Sequence, residues 1–125
     1  MDVTDDRSKV RCCKEQYCIG TWNVRSMNQG KLEVVKQEMA RVNVNILGIS
    51  EVKWTGMGEF NSDDHYIYYC GQESFRRNGV AIMVNKRVRN AVRGCNLKND
   101  RMISVNFQGK LFNIMVIQVY APTRS

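Results

Sequence analysis

The sequence predicts an α/β fold of the α+β type, built mainly on one mixed sheet with a flanking helix. Short runs of β-forming residues recur along the 125-residue chain, and one amphipathic helical segment separates the first two runs, which gives a β–α–β start. Hydrophobic residues make up 43% and charged residues 25% of the chain, a globular composition whose length suits one domain.

The amino-terminal segment divides into a charged leader and a first strand. Residues 1–16 show no apolar period, so we expect a disordered leader ahead of a folded part over residues 17–125. Tyr17–Val24 is rich in β-formers and predicts a strand that ends near the polar Asn23.

A helix is predicted over Lys31–Val42, where it covers the sheet. Apolar residues recur there on one helical face: Leu32, Val35, Met39 and Val42. The polar residues between them are expected to face solvent: Lys36, Gln37, Glu38 and Arg41.

Further strands follow the helix. Asn43–Ser50 predicts a mostly buried strand that runs into Glu51, and Trp54–Asp64 has the Gly, Asn and Asp content of a loop. Two more strands are predicted on either side of a polar, basic loop at Gln72–Asn78, over Tyr66–Gly71 and Gly79–Asn85.

The carboxy-terminal part predicts a hairpin around Gly109, with strands over Arg101–Gln108 and Lys110–Tyr120. The second of these is apolar at most positions, so we expect it to be covered on both faces, and Pro122 should end it.

The charge balance favours a polyanionic partner. Nineteen Lys and Arg residues against twelve acidic ones give a formal charge of +7. The basic residues are scattered and no segment has the length of an apolar membrane span, so we expect nucleic acid rather than a membrane. A merely soluble basic surface is the alternative.

The five cysteines are expected to be reduced thiols of an intracellular protein, with the nucleus as one location. Their number is odd, and the first residues lack the apolar stretch of a signal peptide. The cluster Cys12, Cys13 and Cys18 has no CxxC pair, which favours incidental cysteines over a zinc site.

Three polar residues stand where predicted strands end: Asn23, Glu51 and Tyr120. Rigid strands often carry catalytic groups at their open ends. Each residue also has a structural alternative: Asn23 could bond the following turn, Glu51 could be solvated, and Tyr120 could be a half-buried aromatic.

Short strings around these residues resemble one family in their order. They are Thr21-Trp22-Asn23-Val24-Arg25, Ile49-Ser50-Glu51-Val52-Lys53-Trp54, Gly79-Val80-Ala81-Ile82 and Val119-Tyr120-Ala121-Pro122-Thr123. The chain resembles the endonuclease/exonuclease/phosphatase superfamily, and more closely the apurinic-type endonuclease domain of LINE retrotransposons and host proteins derived from them. The resemblance implies the amino-terminal half of that family's four-layer α/β sandwich.

The resemblance implies a DNA endonuclease site. Glu51, with Asn23 beside it, would hold Mg²⁺ or Mn²⁺ against the scissile phosphate, and Tyr120 would contribute a phenolic hydrogen bond or a phenolate. Lys53 would add positive charge, although a solvated lysine is an equal alternative. Some family members have an acidic residue where this chain has Arg25, which would weaken a second metal position or supply a phosphate contact.

The family's later Gly-Asp-Phe-Asn and Ser-Asp-His motifs do not occur in these 125 residues, and His65 lies too early to replace their histidine. We therefore expect a truncated, inactive site, and an exposed inner sheet face around Ile114 and Val116 that a missing carboxy-terminal half or self-association would cover. The alternative function is a non-catalytic nucleic-acid-binding or interaction remnant.

Overall fold

The computed structural model describes residues 10–14, 17–28, 30–110 and 113–121, and for residues 10–14 the backbone alone. The elements follow in the order β1 (Val10–Lys14), β2 (Tyr17–Asn23), α1 (Lys31–Arg41), β3 (Ile46–Ser50), β4 (Met57–Ser62), β5 (His65–Cys70), β6 (Val80–Asn85), α2 (Lys86–Arg89), β7 (Val92–Asn99), β8 (Met102–Phe107) and β9 (Ile114–Val119). The predicted α/β (α+β) class is confirmed.

The described strands form two sheets. Six strands lie in the order β1-β2-β3-β6-β5-β4, with β2 and β3 parallel and the other neighbours antiparallel. The strands β7, β8 and β9 form a separate antiparallel sheet. The mixed sheet was predicted, but the second, separate sheet was not.

The six-stranded sheet is the middle of three layers. Because side chains alternate across a strand, Leu47 and Ile49 of β3 face α1, whereas Ile46 faces the second sheet. On that second side, Ile82 of β6 shares a buried cluster with Phe107 of β8. Both faces of the central strands are thus covered.

The predicted apolar face of α1 is confirmed, but the prediction for one of its polar residues is wrong. Val35 and Met39 are buried, and Leu32 and Val42 pack against the same cluster. Lys36, however, is only 5% exposed. The β4–β5 turn brings acceptors over its ammonium, which donates to Ser62 Oγ at 2.9 Å and to Asp63 Oδ2 at 2.6 Å. A long stem can be buried when its charged end reaches such partners.

Several segments differ from the sequence-based expectation. Residues 10–14, expected in a disordered leader, pair with β2 as an edge strand, because the free backbone groups of β2 offer a partner that sequence pattern does not show. The rest of the expected leader, residues 1–9, 15 and 16, lies outside the described residues. Strand β4 occupies the middle of the segment predicted as loop, because β5 supplies its hydrogen bonds. Helix α2 and strand β7 formed no part of the prediction.

The exposure of β9 is also corrected. Its Ile114 and Val116 pack against the cluster between the sheets, so the face expected to be exposed is the covered one. The opposite face is open: Met115, Ile117 and Val119 are 58%, 53% and 50% exposed. The strand is therefore not covered on both faces.

The cysteine side chains that the structure describes are in two states. Cys18 is disulfide-bonded, which corrects the expectation of reduced thiols at this position. Its backbone partner in the β1–β2 ladder is Cys13. Cys70 and Cys95 are free. Neither helix in the described part of the chain has the length and apolar character that a membrane crossing needs.

Candidate functional site

The polar residues at the ends of β2 and β3 lie at one end of the central sheet. Asn23 is opposite Ser50 in the parallel ladder, so Asn23 and Glu51 leave adjacent strands in the same direction. Tyr120 directly follows β9, and its N–H donates to the carbonyl of Arg101 at 2.8 Å. We call this region, comprising residues 23–26, 51–54, 78, 79, 100, 101 and 120, the polar end.

The phenol of Tyr120 lies beside the carboxylate of Glu51, close enough for that carboxylate to act on the pKa of the phenol. Two of the three predicted residues therefore meet directly, although they come from different sheets. Burial raises the pKa of Tyr120, and the charge and hydrogen bond of Glu51 raise it further. The phenol is thus a protonated donor at neutral pH, which favours the hydrogen-bonding role of Tyr120 over the phenolate.

The segment that carries Glu51 has an unusual backbone. Glu51 and Lys53 have φ values of 61° and 59°, in the left-handed region. Non-glycine residues there cost on the order of 1 kcal/mol each and persist where the surroundings hold them. Here the intervening Val52 is 1% exposed, its N–H donates to Gly79 O at 3.2 Å, and Lys53 N–H donates to Asn78 O at 2.8 Å.

Asn23 forms the turn that follows β2. Its Oδ1 accepts a hydrogen bond from Arg25 N–H at 3.0 Å, and Arg25 has a φ of 59°. Asn23 therefore bonds the following turn, which is the structural alternative that the sequence analysis left open. A side-chain amide also has a second Oδ1 lone pair and two Nδ2 protons, which can contact a ligand. Arg25 itself is exposed.

Three further residues at or beside the polar end were missed by sequence reasoning. Asp100, in the turn between β7 and β8, accepts from Gln72 Nε2 at 3.0 Å and from Asn78 Nδ2 at 2.8 Å. The hydrogen bond from Asn78 is the largest cause that lowers the pKa of Asp100. Polar loop residues of this kind carry no distinguishing spacing, so the sequence holds no signal for the cluster.

The polar end offers a small donor set for a metal ion. Within the described ranges, no group of three His, Cys, Asp or Glu side chains is placed to hold one. Mg²⁺ is commonly held by one or two carboxylates, with water and a substrate phosphate completing its shell. Glu51 with Asn23 meets the lower limit of that requirement.

His65 lies at the other end of the sheet. It begins β5 opposite Asn85, whereas Cys70 at the far end of β5 is opposite Val80, beside the polar end. His65 lines a cavity of about 390 Å³ together with Asp63 and Arg89. Burial lowers the pKa of His65. It is therefore not placed to act with Glu51.

The chain is similar to two curated proteins named craniofacial development protein 2. The Bos taurus protein is 80% identical over 123 residues, and the Tragulus javanicus protein is 77% identical over 123 residues. Each match covers 98% of this chain and 21% of the relative, so the chain spans about a fifth of their length. No model of a known protein family matches the chain. The chain is thus similar to a segment of craniofacial development protein 2, while its membership of the nuclease superfamily stays a prediction.

Proposed function

We propose that the chain carries part of the active site of a divalent-metal-dependent phosphodiesterase, a DNA endonuclease of retrotransposon origin. The observation that supports this best is the proximity of Glu51 and Tyr120, which follow strands of different sheets and meet at the end of β3. A carboxylate and a phenol there can serve one bound phosphate.

In this proposal Glu51 is the metal ligand, assisted by Asn23. Bound Mg²⁺ or Mn²⁺ would supply Lewis-acid polarisation of the scissile phosphate. Tyr120 lies beside the Glu51 carboxylate and can orient it by donating a hydrogen bond from its phenol. The rigid backbone around Val52 keeps the carboxylate in place, as a preorganised site requires.

Lys53 and Arg25 supply positive charge around that phosphate. Arg25 is exposed and follows the end of β2 by two residues, and Lys53 is partly exposed and follows the end of β3 by three. Their cationic groups can neutralise a DNA phosphate that approaches the polar end.

The proposed site is incomplete within these 125 residues, since the Gly-Asp-Phe-Asn and Ser-Asp-His motifs are not in the sequence. Water activation by such groups contributes orders of magnitude in rate. The proposal therefore includes a partner that supplies them, a carboxy-terminal half that packs on the open face of β9, with self-association through the same face as the alternative.

Metal binding to the 125-residue chain tests the proposal. Mn²⁺ binding, followed by electron paramagnetic resonance, is expected for the unaltered chain and should be lost in Glu51→Gln. Glu59→Gln is the matched control, because Glu59 is an exposed glutamate of the sheet-edge strand β4. Equal Mn²⁺ binding by the unaltered chain and Glu51→Gln would contradict the role of Glu51.

A nicking assay on supercoiled DNA with Mg²⁺ completes the test. We expect no nicking by the chain alone, because the motifs named above are absent from it. Any nicking that does occur should disappear in Glu51→Gln and persist in Glu59→Gln.

The second candidate is a non-catalytic nucleic-acid-binding or interaction remnant. Its support is the formal charge of +7 together with exposed basic pairs at Arg76-Arg77 and Lys86-Arg87. Salt-sensitive DNA binding without Mn²⁺ binding at Glu51 would favour this second function.

A further inference from the structure

Phe75 is an aromatic side chain that the core does not use. It lies in the loop between β5 and β6 and is 61% exposed. By contrast, Phe60 packs with Trp54 and Tyr69, and Phe107 is fully buried between the sheets. An exposed phenylalanine lowers solubility without stabilising the fold. Its exposure therefore indicates a binding role, and the residues around it indicate the kind of ligand.

The surroundings of Phe75 are cationic. Arg76 and Arg77 follow it and are exposed, and the guanidinium carbon of Arg77 lies 5.6 Å from the centre of the Phe75 ring. That separation is within the range of cation–π attraction. An open aromatic ring beside two arginines is the combination that holds a base by stacking and its phosphates by charge.

Hydrogen bonds fix both ends of this loop. Gln72 before Phe75 and Asn78 after it donate to the same carboxylate oxygen of Asp100. The N–H of Gly79 also donates to Asp100 O at 3.0 Å. Restraint at both ends reduces the conformational entropy that the loop would lose on binding a ligand.

The loop also adjoins the candidate site. Asn78 accepts a hydrogen bond from the backbone N–H of Lys53, which is two residues from Glu51. A strand whose phosphate lies at Glu51 would therefore pass close to the segment that carries Arg77. Because the loop lies beside the proposed DNA site, we take nucleic acid as its ligand. In this respect the inference rests on the proposed function.

We infer that Phe75, Arg76 and Arg77 form a contact for unpaired DNA, in which Phe75 stacks on a base and the arginines neutralise adjacent phosphates. Bases within a duplex have both faces occupied by their neighbours, whereas an unpaired base has a free face for the ring. The contact selects a single-stranded or locally opened segment over an intact duplex.

The test is binding of a fluorescent DNA oligonucleotide to the 125-residue chain in EDTA, measured by anisotropy as a single strand and as a duplex. Phe75→Ala should bind the single strand roughly tenfold more weakly and the duplex nearly unchanged. Phe75→Trp should keep the single-strand affinity of the unaltered chain, with quenching of tryptophan fluorescence on stacking. Met115→Ala, which removes a similarly exposed apolar side chain from β9, should bind like the unaltered chain.

The salt dependence separates stacking from charge. Arg77→Ala should reduce the slope of log K against log salt by about 0.7 for the single strand, whereas Phe75→Ala should leave the slope unchanged. Equal single-strand affinity of Phe75→Ala and the unaltered chain would overturn the inference, as would an equal loss in Met115→Ala. Tighter binding of the matching RNA strand would overturn DNA as the ligand.

Failure of this inference is distinguishable from failure of the proposed function. The binding assay contains EDTA and no metal, so its result does not depend on Mn²⁺ binding at Glu51. Loss of Mn²⁺ binding in Glu51→Gln alongside unchanged binding in Phe75→Ala would overturn the contact and leave the metal site supported.

Discussion

Strands β6 and β9 have similarly apolar sequences but very different surroundings. In β6 (VAIMVN) five of the six residues are buried, whereas in β9 (IMVIQV) only Gln118 is. β6 lies between β3 and β5 with a layer on each face, and β9 is an edge strand of the three-stranded sheet. Apolar composition therefore indicates a strand, but the position of that strand among the layers decides which faces are covered.

The largest expected effect contrasts one isoleucine from each strand. Ile82→Ala in β6 should lower the free energy of unfolding by about 2–5 kcal/mol, because it leaves a cavity between the two sheets. Ile117→Ala in β9 should change it by less than about 0.5 kcal/mol, because that side chain is 53% exposed. Urea denaturation measures both, and equal losses would break the comparison.

A smaller effect is expected where β9 meets the central sheet. A Cβ on Gly48 of β3 would collide with the side-chain amide of Gln118, which is 8% exposed and accepts from Thr21 Oγ1 at 3.3 Å. Gly48→Ala should cost about 1–3 kcal/mol of unfolding free energy. Gly94→Ala is the control, because a Cβ there meets open space.

The double variant Gly48→Ala/Gln118→Ala sharpens this prediction. Removing the amide relieves the collision, so the two losses should be non-additive by at least about 0.5 kcal/mol. Additive losses would show that β9 is not seated on β3 in solution.

The smallest effect is expected at Asp100, where the turn of the second sheet holds the loop of the first. Hydrogen bonds lower the pKa of Asp100, chiefly the one from Asn78. A lowered folded pKa stabilises the protein above the unfolded pKa near 4, and this stabilisation is lost as pH falls through the folded value.

Asp100→Asn should therefore reduce the unfolding free energy by about 1 kcal/mol or less at neutral pH. The difference from the unaltered chain should shrink as pH falls below the unfolded pKa and vanish once Asp100 is protonated in the folded state as well. Hydrogen exchange of residues 72–79 should accelerate in the variant at neutral pH. Asp64→Asn, at an exposed turn, is the control and should leave that segment unchanged.

The candidate site was partly predictable. Asn23, Glu51 and Tyr120 stand at strand ends in the sequence, and the parallel pairing of β2 with β3 puts the first two at one end of the sheet. The contact between Tyr120 and Glu51 needed the second sheet to pack on the first. Asp100 and its partners could not be predicted, because long-range hydrogen bonds between ordinary loop residues leave no periodic pattern.

The sequence by itself determined the strand and helix segments of α1, β2, β3, β5, β6, β8 and β9, because periodicity and β-forming composition are local properties. Only the tertiary structure decided that residues 10–14 and 57–62 are strands, that Lys36 is buried, and that Met115, Ile117 and Val119 face outward. The physical reason is that edge pairing and layer packing depend on which distant segments supply the free hydrogen-bonding groups and the apolar surface.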